Sequence, residues 1–437
     1  MNRIVLATLL SGSLIPPCLA ADADPASQAQ VEELRREINE LKSQLKDMKQ
    51  EKAAPVAETK AGAGPAASQS ASANPVSTTP GLSFFGYGEI NYNHYREDPS
   101  RSQADLRRFV VGVGYAFNDH LRMNSEIEWE HAVTSANDRG ESEIEQAYLE
   151  YDFSPKVSVK GGLFLMPFGL LNEHHEPPVF YGVERNEVET RIIPSTWREG
   201  GIGVRVASDA GITYEAGITT GFDITKFDNA GAPLAGVHQE LQFAHAHDPS
   251  FYGAVNYRGK PGLLVGGAVF TGNSTQGNAN FNSDNTQPDF SGIRGRITLW
   301  DIHTRYQIAG FDLQALYAQG RISGAGEIDQ LLAAFNAAHP GDERAFVPDA
   351  FKGWYAQAAY KLWERDEMSL SPFVRYEYYN TQSSMPAGFD ANPANAQHVS
   401  TAGVTFRLHP QVVIKSDYQK YTDKDNNRFN VGLGYMF

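Results

Sequence analysis

The chain has 437 residues, one cysteine and a formal net charge of −15. That acidic balance argues against nucleic acid as a partner, because its recognition leaves a basic footprint. After the N-terminus no stretch approaches the roughly 20 consecutive apolar residues of a spanning helix. Gly (40), Tyr (20) and Phe (24) are nonetheless plentiful, which suits a sheet that needs an apolar residue only at alternate positions.

The chain opens with Arg3, an apolar run from Ile4 to Ile15, and Cys18-Leu19-Ala20-Ala21. This pattern predicts a secretory signal over 1–20 with cleavage after Ala20; the run is too short to anchor a bilayer. Cys18 is the sole cysteine and leaves with the signal, so the mature chain can form neither a disulfide nor a thiolate metal site. Next, Val31, Leu34, Ile38, Leu41, Leu45 and Met48 alternate in steps of three and four. Those are the a and d positions of a short coiled coil within 21–52, with Glu37 and Lys42 placed to pair across helices. Residues 53–80 are rich in Ala, Pro, Ser, Gly and Thr and read as a flexible tether.

From Gly81 the pattern changes to amphipathic strands. Tight turns are expected at Asn118-Asp119, Ser154-Pro155, Asp209-Ala210-Gly211, Lys260-Pro261-Gly262, Ala309-Gly310, Arg365-Asp366 and His409-Pro410. Longer loops are expected near 96–103, 134–141, 169–195, 224–249, 272–290, 322–350, 381–396 and 422–426. The alternation predicts an all-β fold, a transmembrane antiparallel β-barrel of about 16 strands over 81–437, with short turns on the periplasmic side. The last strand carries Phe429, Val431, Leu433, Tyr435 and Phe437 on one face, and Arg428, Asn430, Gly432, Gly434 and Met436 on the other. A greasy face against a small or polar one is what a strand between lipid and a wet lumen requires.

The stretch Gly161-Gly162-Leu163-Phe164-Leu165-Met166-Pro167-Phe168-Gly169 leads to Glu176-Pro177-Pro178-Val179-Phe180-Tyr181-Gly182-Val183-Glu184-Arg185 and then to Ile193-Pro194-Ser195-Thr196-Trp197-Arg198-Glu199-Gly200-Gly201-Ile202-Gly203. Here the chain resembles the phosphate-selective porin O and P family, over about Gly81–Phe437. The resemblance implies an outer-membrane channel of a Gram-negative cell, a homotrimer in contact with bilayer lipid and lipopolysaccharide, and a third long loop folded into the lumen. It also implies passive diffusion of small anions such as phosphate or organic acids. The family's lysine-rich external loop is missing, since 272–290 holds Gly, Asn, Ser, Thr and Gln but no Lys. The barrel, the trimer and the inward loop therefore carry over, but phosphate specificity does not.

Strand parity separates lumen-facing from lipid-facing positions. It turns the bases Arg108, Arg122, Lys160, Arg205, Arg258, Arg305, Arg375, Arg407, Lys415 and Arg428 inward. The acids Glu126, Glu128, Glu130, Glu150 and Asp152 face them. Parity breaks near Leu299-Trp300, which predicts a bulge there. Bases lining a narrow passage concentrate anions, whereas the row Glu126, Glu128, Glu130 offsets them and favours a general diffusion pore. A third reading is a structural or surface-interaction barrel with a plugged lumen. Loop 169–195 contributes Glu173, Glu176, Glu184, Arg185, Glu187, Glu189 and Arg191, which could set a field across a constriction. The run Glu173-His174-His175-Glu176 has ligand residue types but no further ligand at helical or hairpin spacing, and His245 with His247 reads as a solvated pair. No metal or cofactor is expected. Nor is catalysis, since no Gly-x-Ser-x-Gly elbow, His-Glu-x-x-His motif or phosphate-binding Gly loop is present.

Overall fold

The structure, a computed structural model, describes residues 76–79, 81–278 and 287–437. The expected signal and coiled coil, and all but the end of the tether, lie outside the described residues. Sixteen antiparallel strands close on themselves. They are β1 (Leu82–Tyr95), β2 (Gln103–Ala116), β3 (Leu121–Glu130), β4 (Ser142–Ser154), β5 (Val157–Leu165), β6 (Arg198–Ala207), β7 (Ile212–Thr219) and β8 (Ser250–Tyr257). Then follow β9 (Leu263–Asn273), β10 (Arg296–Ile308), β11 (Phe311–Ile322), β12 (Ala350–Tyr360, resumed at Trp363–Arg365), β13 (Met368–Ser384), β14 (Ala396–His409), β15 (Val412–Tyr421) and β16 (Arg428–Met436). The last strand pairs with the first, from Arg428 opposite Tyr95 to Met436 opposite Tyr87. Closure satisfies every strand edge, the condition for sheet structure in hydrocarbon. A short strand, Val76–Thr79, pairs its backbone with Leu82 and Phe84.

Outward side chains form two aromatic belts. Tyr115, Phe117, Tyr151, Phe153, Tyr214, Tyr257, Phe311, Tyr360 and Trp363 ring the rim of short turns. Tyr92, Trp129, Phe251, Trp354, Tyr376 and Phe429 stand toward the rim of long loops. Aromatic rings favour the boundary between lipid and water, so the band between the belts is the lipid-facing wall.

The inner wall is divided. On the inward side of β9–β12, Phe270, Ile297, Leu299, Leu316, Ala318 and Phe351 are fully or nearly fully buried. They belong to one apolar cluster with Phe168, Ile192, Ile193 and Trp197, with Phe222, Ile224, Leu234 and Val237, and with Ile328 and Leu332 of a helix spanning Ala325–Ala338. Trp197 stacks on Phe222 at 5.1 Å and meets Phe168 and Phe270 edgewise or tilted at 4.9 Å.

This cluster corrects the bulge expected near Leu299-Trp300. The β10 register runs unbroken against both neighbours, from Arg296 to Tyr306 on one side and from Ile297 to Ile308 on the other. Ile297 and Leu299 face inward because apolar loop residues cover them there, and Arg296 faces outward, exposed. Real bulges occur elsewhere. One lies opposite Glu89 and Ile90, where Arg107 is the extra residue, and one opposite Glu126 and Ile127, where Glu145 is extra.

Candidate functional site

The connection between β5 and β6, residues 166–197, is bonded to more of the barrel than any tight turn could be. Asn172 fastens its two ends. Its side-chain amide donates to the carbonyls of Met166 and Trp197, both at 2.8 Å, and its oxygen accepts the Trp197 N–H at 2.7 Å. Glu199 accepts from Trp197 Nε1 at 3.0 Å, from Thr220 Oγ1 at 3.0 Å and from the Gly221 N–H at 3.1 Å, joining this loop to the next long one.

Carboxylates hold the backbone of the loop. Glu189 accepts the N–H groups of Leu170 and Leu171 at 2.7 and 2.8 Å, and the hydroxyl of Tyr355 from β12 at 2.7 Å. Glu377 of β13 accepts the Glu187 N–H at 2.7 Å, and Asp417 of β15 accepts the Val183 N–H at 2.6 Å. A buried N–H must find a partner, and an ionised acceptor makes a bond about twice as strong as a neutral one. The last strand makes room. A Cβ added to Gly434 would stand 2.3 Å from the Pro177 side chain, and one on Gly432 would stand 2.9 Å from Val183. The small face of β16 is thus the face against which this loop packs.

Charged inward residues are mostly paired across strands. Arg108 meets Glu89 at 2.9 Å, Glu128 at 3.4 Å and Glu130 at 3.7 Å. Arg122 pairs with Glu150 at 2.9 Å and with Asp152. Arg205 and Lys160 share Glu215 at 3.4 and 3.6 Å, and Lys160 also lies 3.9 Å from Glu173. Arg305 binds Asp312 at 2.6 Å, and Arg375 binds Glu377 at 2.8 Å. Arg407 donates to the carbonyls of Pro178 and Pro410. Lys415 is buried, with its amine 3.5 Å above the Phe180 ring. Glu126 stands opposite Gln146 across the ladder. Arg258 is exposed in the turn after β8. Glu176 precedes the turn 177–179.

One cluster brings several arginines to a common space. A cavity of about 250 Å³ is lined by Arg107, Arg108, Arg185, Arg191 and Arg428, and by the acids Glu89, Glu184 and Glu187. Glu187 takes Arg191 and the hydroxyl of Tyr421, both at 2.5 Å, and has Arg428 at 3.6 Å. Glu184 accepts from Asn93 at 2.9 Å. Burial pushes the Glu184 carboxyl up, but Arg428, Arg107 and the Asn93 bond outweigh it and hold it below the usual range. Arg185 donates from one nitrogen to Ser195 and Thr196 at 2.6 and 2.7 Å. Its Nε and second terminal nitrogen are buried without a hydrogen-bond partner.

Parity missed Arg107 and Glu145. Each is the extra residue of a bulge, which re-aims a side chain that strict alternation would send to the other face. Glu145 is fully buried, 2.8 Å from His175. Glu173 and His175 turn to different strands rather than to a common point, and among the described residues no cluster of three or more His, Cys, Asp or Glu could hold a metal.

Residues 84–437 match the phosphate-selective porin O and P family. The chain belongs to this family. It is therefore an outer-membrane porin, a channel and not an enzyme. An uncharacterized protein of Aquifex aeolicus (strain VF5) is 35% identical over 385 residues, 86% of this chain and 84% of its own length. Solved structures share the fold at low identity. OmpF of Salmonella typhi in complex with daunomycin is 14% identical, covering 82% of this chain and 97% of its own, with a TM-score of 0.54. The outer-membrane channel DcaP of Acinetobacter baumannii is 11% identical over 83% and 99%, with a TM-score of 0.52. An anion-selective porin from Comamonas acidovorans is 12% identical over 82% and 99%, with a TM-score of 0.50.

Proposed function

We propose that this porin passes small anions, phosphate or small organic acids among them, through a lumen that loop 166–197 narrows. The carrying observation is the cavity in which five arginines meet three glutamates, with one edge of Arg185 left without a partner. A guanidinium fork suits planar or tetrahedral oxyanions, and a low-dielectric wall strengthens the attraction. The bonds from the loop to Tyr355, Glu377, Asp417 and Asn93, on four separate strands, support its inward course.

A general diffusion pore is the second reading. It is favoured by the pairing of Arg108, Arg122, Arg305 and Arg375 with acids, which leaves those bases little net field. Reversal potential in a KCl gradient across a planar bilayer separates the two. Anion preference, with chloride conductance reduced by added phosphate, supports the first. Equal permeability of both ions supports the second, and cation preference overturns the first.

The signal 1–20 directs export, 21–52 forms a periplasmic coiled coil joined by the tether from 53, and three barrels of about 81–437 assemble in a membrane that holds lipopolysaccharide. Crosslinking in intact cells tests the assembly, with trimers expected and dimers alone contradicting it.

A further inference from the structure

The outer wall carries a groove of about 620 Å³ across β12–β15. Two rows of the ladder define it. Ala356, Tyr376, Ser400 and Lys420 are successive cross-strand partners, and so are Ala358, Val374, Ala402 and Tyr418. Four small side chains on the outward face, Ala356, Ala358, Ser400 and Ala402, leave space around Val374 and Tyr376. The aromatic side of the groove is fixed, since Tyr376 bonds His398 at 2.9 Å and packs against Trp354 at 5.7 Å.

Its end toward the long loops is basic. Lys420 is exposed, one residue before β15 ends, and makes no ion pair among the described residues. Arg96, in the β1–β2 loop, is largely exposed, with Glu97 3.9 Å away.

We propose that this groove binds a phosphorylated, acylated lipid of the outer leaflet, the class to which lipopolysaccharide belongs. An acyl chain lies over Ala356, Ala358, Ser400 and Ala402, and a phosphate meets Lys420 and Arg96. The argument is charge complementarity at the right depth. The apolar slot faces hydrocarbon, and its two cations stand where headgroups begin. A basic residue near an anionic lipid surface contributes on the order of 1 kcal/mol.

Full-length protein purified in detergent, mixed separately with lipid A and with phosphatidylethanolamine, would be weighed by native mass spectrometry. The unmodified chain is expected to retain one lipid A per barrel in preference to the zwitterionic lipid. Lys420→Gln is expected to weaken retention about fivefold, as loss of one such cation implies. Ala402→Trp, which fills the slot, is expected to abolish it. Heat-dependent migration on gels checks that both variants are folded. Equal retention in all three proteins, or no preference between the lipids, would overturn the proposal. So would efficient disulfide crosslinking of an Ala402→Cys variant to a second copy, which makes the groove a contact between barrels.

Discussion

Two parts of the barrel wall hold loop 166–197 by different physics. At β9–β12 the loop stem buries Phe168, Ile192, Ile193 and Trp197 in a dry aromatic cluster. At β1, β2 and β16 its middle, 183–191, meets a polar cavity and is held by single hydrogen bonds and ion pairs. Burial is non-directional and fixes position strongly, whereas the directional bonds of the polar side fix register. Under the proposed function the labour is divided, with rigidity on one side and selectivity on the other.

The largest effect should come from breaking the dry side. Trp197→Ala removes a fully buried indole and is expected to cost about 3–5 kcal/mol, the range for large aromatic truncations. Chemical denaturation monitored by tryptophan fluorescence or gel migration checks it. A loss below about 1 kcal/mol would mean that the cluster does not hold the loop.

That division also explains what could be read from the sequence. Turns and strands were legible because lipid demands an apolar residue at every second position, as Phe429 to Phe437 display. Parity presumes a polar lumen side and an unbroken alternation. It failed at Ile297 and Leu299, whose inward face is covered by Phe222, Ile224 and Trp197 and is apolar too. It failed again at Arg107 and Glu145, where an extra residue shifts alternation without any local signature in composition. Pairing was hidden for a different reason. Arg108 gains Glu89 from one neighbouring strand and Glu128 from the other, and Glu187 gains Tyr421 from more than 200 positions along the chain. The small residues Gly432 and Gly434 were visible, but that a loop packs against them was not.

A smaller effect is expected at the join between the two sides. Glu189→Gln keeps the shape but loses the charge that accepts the Leu170 and Leu171 N–H groups and the Tyr355 hydroxyl. The expected cost is about 2 kcal/mol, the scale of a hydrogen bond to a charged group. Single-channel recordings should show larger and noisier conductance as the loop loosens. Unchanged noise would show that these bonds do not tether it.

A third prediction concerns the long-loop rim, away from both sides. Asp329 accepts the Val347 N–H at 2.8 Å inside the helix-bearing loop, and burial pushes its carboxyl up to about 7. An unfolded Asp titrates near 4. Between those values the folded loop binds the proton that the unfolded loop has lost, so local stability falls as pH rises through this window. Hydrogen exchange over 325–338, corrected for intrinsic rates, should show protection at pH 5 exceeding that at pH 8 by on the order of tenfold or more. Asp329→Asn should flatten that difference. Equal protection at both pH values would contradict it.

Whether the polar side sets selectivity is tested most directly at Arg107. This side chain lines the cavity, is 38% exposed, lies 3.9 Å from Asp105 and acts on Glu184 through its charge, so its reversal changes the field in the cavity while leaving the hydrogen bonds that tether the loop in place. Reversal potential in a KCl gradient should move measurably toward cations in Arg107→Glu, with denaturation midpoint and single-channel noise unchanged. An identical reversal potential in the variant and the unmodified protein would show that the polar side does not set selectivity.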